Sequence, residues 1–145
     1  MTSLGKRPPP MRTISILVVI TLFVAIARAD WADISTEELL KKTDLVVVAR
    51  LTEVRESTKG DTDYGSGVLV ISEILRGDSK SERRLKIEWS NPSRLACPRV
   101  EHRHHANKPL VWLLVKARSG SVSADYPGRV IPLEERSRVT ALLKR

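Results

Sequence analysis

The sequence predicts a mainly β fold: a five-stranded Greek-key barrel with a short N-terminal helix and a C-terminal helix. Three observations lead there. Five short segments carry either dense β-branched runs or strict apolar/polar alternation. One long polar connection, 91–109, precedes the fourth of them, as a Greek-key crossing needs. Helix signals occur only at the two ends of the part that carries the strands.

Residues 1–29 come first and read as a targeting segment. Lys6, Arg7 and Arg12 precede any acid, and 14–26 is almost wholly apolar, interrupted only by Ser15 and Thr21. Ala27-Arg28-Ala29 then supplies the small-x-small pattern that signal peptidase accepts, with Asp30 beyond it. The expectation is a secretory signal peptide cleaved between Ala29 and Asp30, and hence a secreted or periplasmic protein with no stable membrane span after cleavage. A retained anchor is the alternative, disfavoured because a span needs about 20 apolar residues. Met11 is an alternative start that leaves a more compact signal.

Cleavage changes the charge argument. The chain of 145 residues holds 25 Lys+Arg against 17 Asp+Glu, a net of +8 that points at nucleic acid. Removing 1–29 removes Lys6, Arg7, Arg12 and Arg28 and no acid, leaving 21 bases against 17 acids. The aromatic residues left are Trp31, Tyr64, Trp89, Trp112 and Tyr126, and Trp89 and Trp112 sit in apolar alternation, as core residues do. Stacking platforms for single strands need exposed aromatics beside a basic groove, so no nucleic-acid partner is expected. Residues 30–145 suit a single domain burying about two-thirds of its unfolded surface. The composition, 41% hydrophobic and 29% charged, excludes collagen-like and disordered chains. One cysteine excludes an intramolecular disulfide framework.

Ser35-Thr36-Glu37-Glu38 is a capping box that opens a short helix over 36–42, anchored by Leu39 and Leu40. Leu45 to Ala49 is a dense apolar run passing into alternation through Val54: a strand buried on both faces at its start and half exposed at its end. The polar, Gly-containing stretch 56–67 reads as a loop. The second strand spans 68–75, and the third, 84–89, puts Leu85, Ile87 and Trp89 on one face and Arg84, Lys86 and Glu88 on the other. The fourth, 110–115, is central by its composition, and 121–126 is the fifth. Pro127-Gly128 turns the chain, Val130-Ile131 pairs briefly, and 133–144 closes as a helix with Val139, Leu142 and Leu143 inward.

Asp44 to Arg50, Val70 to Asp78 and Val111 to Leu114 together resemble a strand pattern of uncharacterised bacterial exported proteins. The resemblance covers 44–126. It implies an OB-like barrel similar to the tissue inhibitors of metalloproteases and to netrin modules. Those inhibitors place an N-terminal Cys amine on the enzyme's zinc. This chain, after cleavage, starts Asp30-Trp31, so that mechanism is not carried over.

The densest chemical cluster is Cys97-Pro98-Arg99-Val100-Glu101-His102-Arg103-His104-His105, which gathers the single Cys and all three histidines. Thiolate and imidazole both suit zinc or copper. In an extended segment His102 and His104 share a face and His105 points away. Against a metal site, Arg99 and Arg103 add positive charge and the spacing fits no established zinc motif; the plainer reading is a solvated basic loop with a partly buried Cys97, and no cofactor. No G-x-S-x-G, H-E-x-x-H or P-loop occurs, so no catalytic residue is expected. Arg76-Gly77-Asp78-Ser79 matches an adhesion tetrapeptide, but a turn alone explains its glycine. Glu82 to Ile87 matches a heparin-type pattern, yet its alternation reads as a solvated sheet face. The leading expectation is an exported, non-enzymatic module that binds a protein or cell-envelope partner through the 91–109 loop. The alternative is a metal-binding or Cys-dependent protein using Cys97, His102, His104 and His105.

Overall fold

The computed structural model describes residues 34–78, 82–92 and 99–145. The expected signal segment, its cleavage junction and Cys97 lie outside the described residues.

Helix α1 (Thr36–Lys41) starts where the capping box requires: Ser35 Oγ accepts from the Glu38 N–H at 3.2 Å. Leu39 and Leu40 are buried. Its C-terminal carbonyls are satisfied from elsewhere in the chain. Thr43 Oγ1 donates to the Leu39 carbonyl at 2.6 Å, and the Arg76 guanidinium donates to the Leu40 carbonyl at 2.6 Å and to the Thr43 carbonyl. Buried Arg129 donates in turn to Thr43 Oγ1 at 2.9 Å and to Asp125 Oδ1 at 2.6 Å. The arginine of the adhesion-like tetrapeptide is thus committed to a helix end.

The strands are β1 (Leu45–Lys59), β2 (Thr62–Arg76), β3 (Arg84–Pro92), β4 (Pro109–Lys116), β5 (Val122–Ser123) and β6 (Val130–Pro132). They form one six-stranded sheet in the order β1-β2-β3-β5-β4-β6, and a further β1–β4 pairing closes five of them into a ring. All pairings are antiparallel except β3–β5, which meet at Ile87 and Val122. The described residues are therefore mainly β with a short helix at each end, as expected, but with six strands among them. Val130-Ile131 pairs briefly, as expected: with Pro132 it forms a three-residue edge strand on β4.

Two cores lie on opposite faces of β1 and β4. Leu45, Val47, Ala49 and Leu51 point with Leu69, Ile87, Trp89 and Trp112 into the ring. Val46, Val48, Val111 and Leu113 point outward, against Leu39, Leu40, Ile131 and Val139. That is why 45–49 reads as an unbroken apolar run: both faces of the strand are covered. The covering elements are α1, β6 and helix α2 (Arg136–Leu143), which is entered through a 3-10 turn at Leu133–Glu135 rather than as one helix over 133–144. Trp112 is fully buried, and its Nε1 donates to the Ala49 carbonyl at 3.2 Å.

The expected loop at 56–67 is instead a β-hairpin. β1 and β2 pair continuously to Lys59↔Thr62, turning through Gly60-Asp61. Gly60 has φ +60°, the conformation that the first central position of a type II′ turn needs. The stretch is polar because the hairpin projects past both cores, so nothing selects for apolar residues there. A β-bulge sits at the border: the register shifts between Thr52 and Arg55, and Glu53 takes φ +55°. Beyond β4 the expected strand over 121–126 shortens to Val122–Ser123.

Candidate functional site

The described part of the 91–109 connection is not a solvated loop. Asn91 clasps Val100 in both directions: its Nδ2 donates to the Val100 carbonyl at 2.9 Å, and the Val100 N–H donates to Asn91 Oδ1 at 2.8 Å. From there the chain alternates. Val100 and His102 turn inward and are buried, while Arg99, Glu101 and Arg103 turn outward. A 3-10 turn at Arg103–His105 follows, closed by the His105 N–H donating to the His102 carbonyl at 2.9 Å. Asn107, with φ +62°, reverses the chain into β4 and donates its N–H to the Leu51 carbonyl at 2.9 Å.

The turn changes the geometry expected of the histidines. Rather than His102 and His104 sharing a face, the His104 and His105 rings pack at 3.8 Å between centroids, and His105 lies 6.1 Å from His102. His102 is 1% exposed and wedged edge-on between Trp89 and Trp112 at 5.0 and 5.3 Å. Its Nε2 lies 3.0 Å from the Ala124 carbonyl. A carbonyl only accepts, so Nε2 carries the proton and Nδ1 holds a bare lone pair, which has no partner among the described residues. Burial pushes the His102 pKa down to about 4, against the opposing pull of the Ala124 carbonyl and with a smaller push from His104. Burial also lowers His105 to about 4, helped by the charges of His104, His102 and Lys108. Both rings are neutral at pH 7. Among the described residues no three His, Cys, Asp or Glu side chains converge as a metal site requires. Cys97, the fourth ligand of that expectation, lies outside them.

The outward residues of the connection build something else. A cleft of about 910 Å³ is walled by Arg55–Ser57 of β1, Tyr64–Ser66 of β2 and Glu88–Ser90 of β3, with Val100, Ser123 and Asp125 completing it. A smaller cavity of about 480 Å³ adjoins it at Glu56, Ser57 and Tyr64, and it is bounded by Asn91, Arg99, Glu101 and Arg103 of the connection. Strand register orders the walls. Arg55, Ser66 and Glu88 form one cross-strand row, and Ser57, Tyr64 and Ser90 form the next. Between these rows Gly65 faces Trp89, and a Cβ at Gly65 would fall inside the indole ring. Glycine is required there because the backbone lies against the aromatic face. Tyr64 is 47% exposed.

Several charges at this end are paired. Arg99 bridges Asp63 and Glu101, Arg103 meets Glu56 at 3.0 Å, Lys86 meets Glu88 at 2.6 Å, and Arg129 meets Asp125 at 2.6 Å. Glu88 sits below its ordinary pKa, held chiefly by Lys86 and then by a 2.9 Å hydrogen bond from Ser121. Arg99 and Arg103 of the connection are thus each matched by an acid of the hairpin, Asp63 and Glu56.

Sequence reasoning located the connection and missed the hairpin wall of Arg55–Ser57 and Tyr64–Ser66, along with Ser123 and Asp125. One signal was present: Gly-Asp between β-compatible flanks is a hairpin dipeptide. Among the described residues no helix is long and apolar enough to cross a membrane. No protein-family model matches the chain, and no curated protein matches it.

Proposed function

We propose that the chain is an exported, non-enzymatic binding module whose recognition surface lies where the 91–109 connection meets the β1–β2 hairpin. The observation that carries this reading is the pair of adjoining cavities, both lined by residues of the connection and of the hairpin. Loops clamped onto a rigid sheet make good recognition surfaces because little ordering remains to be done on binding. The export part of the reading rests on residues 1–29, with cleavage between Ala29 and Asp30. The finer fold reading is an OB-like barrel of the metalloprotease-inhibitor and netrin kind. In its support, the strand order returns from β4 to β1, and β3 and β5 run parallel. The partner is a protein or cell-envelope component, with no cofactor.

The test uses the full chain, expressed in a host that exports and processes it, as bait against the exported fraction of its own source. A specific partner is expected to be retained by the natural chain and lost by the Tyr64→Ala, Arg99→Ala double variant at unchanged thermal stability. Retention that ignores both substitutions overturns the assigned surface.

A second reading, zinc or copper bound through Cys97, His102, His104 and His105, is favoured by the unpartnered Nδ1 of His102 beside two further imidazoles. Calorimetry with zinc and with copper tests it. Affinity that is lost on Cys97→Ser with the fold intact supports the metal reading, and no heat at micromolar protein ends it.

A further inference from the structure

Deepening the proposed binding function, on which this inference rests, we infer that the cleft between the hairpin, β3 and the Ser123–Asp125 segment takes a neutral oligosaccharide. Its volume of about 910 Å³ lies in the range of small-ligand sites, about 300–1,000 Å³, and its lining is mixed: apolar surface, with Tyr64, Trp89 and Val100 among the wall residues, lies beside a high share of hydroxyl and charged side chains. A fitting ligand therefore offers apolar faces and hydrogen-bonding groups side by side.

The groups on offer are of the right kind. Ser57, Ser66, Ser90 and Ser123 line the cleft, and their hydroxyls bond no other group among the described residues. Each can donate and accept, as sugar hydroxyls can, so either orientation of a hydroxyl partner finds a match. Tyr64, 47% exposed as a residue, stands in the middle of the row Ser57–Tyr64–Ser90. An aromatic ring flanked by hydroxyls is suited to a sugar ring, which has an apolar C–H face and a polar rim. The floor is stiff, because Gly65 lies against the buried Trp89 indole, so the rows are set before a ligand arrives.

Charge decides between neutral and ionic ligands. The cleft's carboxylates, Glu56, Glu88 and Asp125, are each taken by a cation: Arg103, Lys86 and Arg129. A polyanion would meet three carboxylates and only Arg55 as a cationic wall residue, while a basic peptide would have to displace existing ion pairs. A neutral chain meets neither cost, and the paired carboxylates retain lone pairs to accept from its hydroxyls.

The experiment is isothermal calorimetry of the exported, processed chain with chitohexaose, cellohexaose and maltohexaose, with heparin and a lysine oligopeptide as ionic probes. At least one neutral hexasaccharide is expected to bind, with affinity little changed between about 0.1 M and about 1 M salt. Tyr64→Ala is expected to weaken it by about tenfold or more, and Ser66→Val, Ser90→Val by a similar factor. Denaturation midpoints of these variants should match that of the natural chain, since the side chains are exposed or half-buried on the outer rows.

Three results overturn the inference: no neutral hexasaccharide binds, binding ignores Tyr64→Ala, or only heparin or the peptide binds, with strong salt dependence. If the sugars fail while a protein partner is still captured and lost with Tyr64→Ala, the sugar assignment falls and the binding-module reading stands. If Tyr64→Ala changes neither, both fall.

Discussion

From Leu45 to Ala49, β1 is covered on both faces, by the ring interior on one side and by α1, β6 and α2 on the other; Arg50 is exposed and Leu51 buried, and from Thr52 to Lys59 the same strand carries mostly exposed residues. The bulge at Glu53 marks the border. Below it, Leu45–Ala49 and Leu51 are buried apolar surface, each large side chain contributing about 1.5–3 kcal/mol. Above it, backbone pairing to β2 continues but the covering layers have ended, so the side chains are free to be polar and to form the walls of a cleft. The covered half carries stability and the projecting half carries the proposed recognition.

The sharpest way to break this division is Trp112→Ala, in the covered half. It empties the centre of the ring and removes the donor to the Ala49 carbonyl, so a loss of about 3–5 kcal/mol is expected in urea denaturation. A loss below about 1 kcal/mol would mean that the ring interior is not the main source of stability.

Acid should act next, through the seam between the halves. His102 is held neutral with a pKa of about 4, against 6.5 in the unfolded chain. Between those values the unfolded state binds the proton and the folded state does not. Stability is therefore full above pH 6.5 and falls as pH drops toward 4, by up to about 3 kcal/mol from His102, with His105 acting in the same direction. Thermal midpoints from pH 7 to pH 4.5 read this directly. His102→Gln keeps a donor for the Ala124 carbonyl and does not titrate, so it should flatten the slope. An unchanged slope would remove His102 as its source.

Gly65→Ala comes third. The added methyl must displace the Trp89 indole, at a cost of about 1–3 kcal/mol, and because Trp89 floors the cleft, ligand binding should weaken along with stability. Arg103→Ala should be smallest. Its pair with Glu56 is exposed, so denaturation should shift by less than about 1 kcal/mol. A larger loss would show that the connection is held by its ion pairs rather than by buried Val100 and His102.

Much of the covered half was legible in the residues. The dense run Leu45–Ala49, the alternation at Leu85, Ile87 and Trp89, and the Ser35 cap each state their structure locally, because burial pattern and capping chemistry are short-range. The hairpin was not legible as a strand pair. Polar residues at Glu56–Thr58 and Thr62–Asp63 look like a loop when burial is the guide, and only Gly60-Asp61 hinted otherwise. The histidine cluster was found, but its geometry was misjudged, because the 3-10 turn at Arg103–His105 replaces the extended backbone that the alternation assumes.

By itself the sequence determined a mainly β fold flanked by two helices, and one connection that concentrates Cys97, His102, His104 and His105. Only the tertiary structure decided that His102 is a buried, neutral wedge between two tryptophans, that Arg76 and Arg129 serve the end of α1, and that Arg99 and Arg103 are answered by acids of the hairpin. The physical reason is range. Periodicity and caps depend on residues a few positions apart, whereas these partners lie 10 to 86 positions apart in the chain and meet only in the folded sheet.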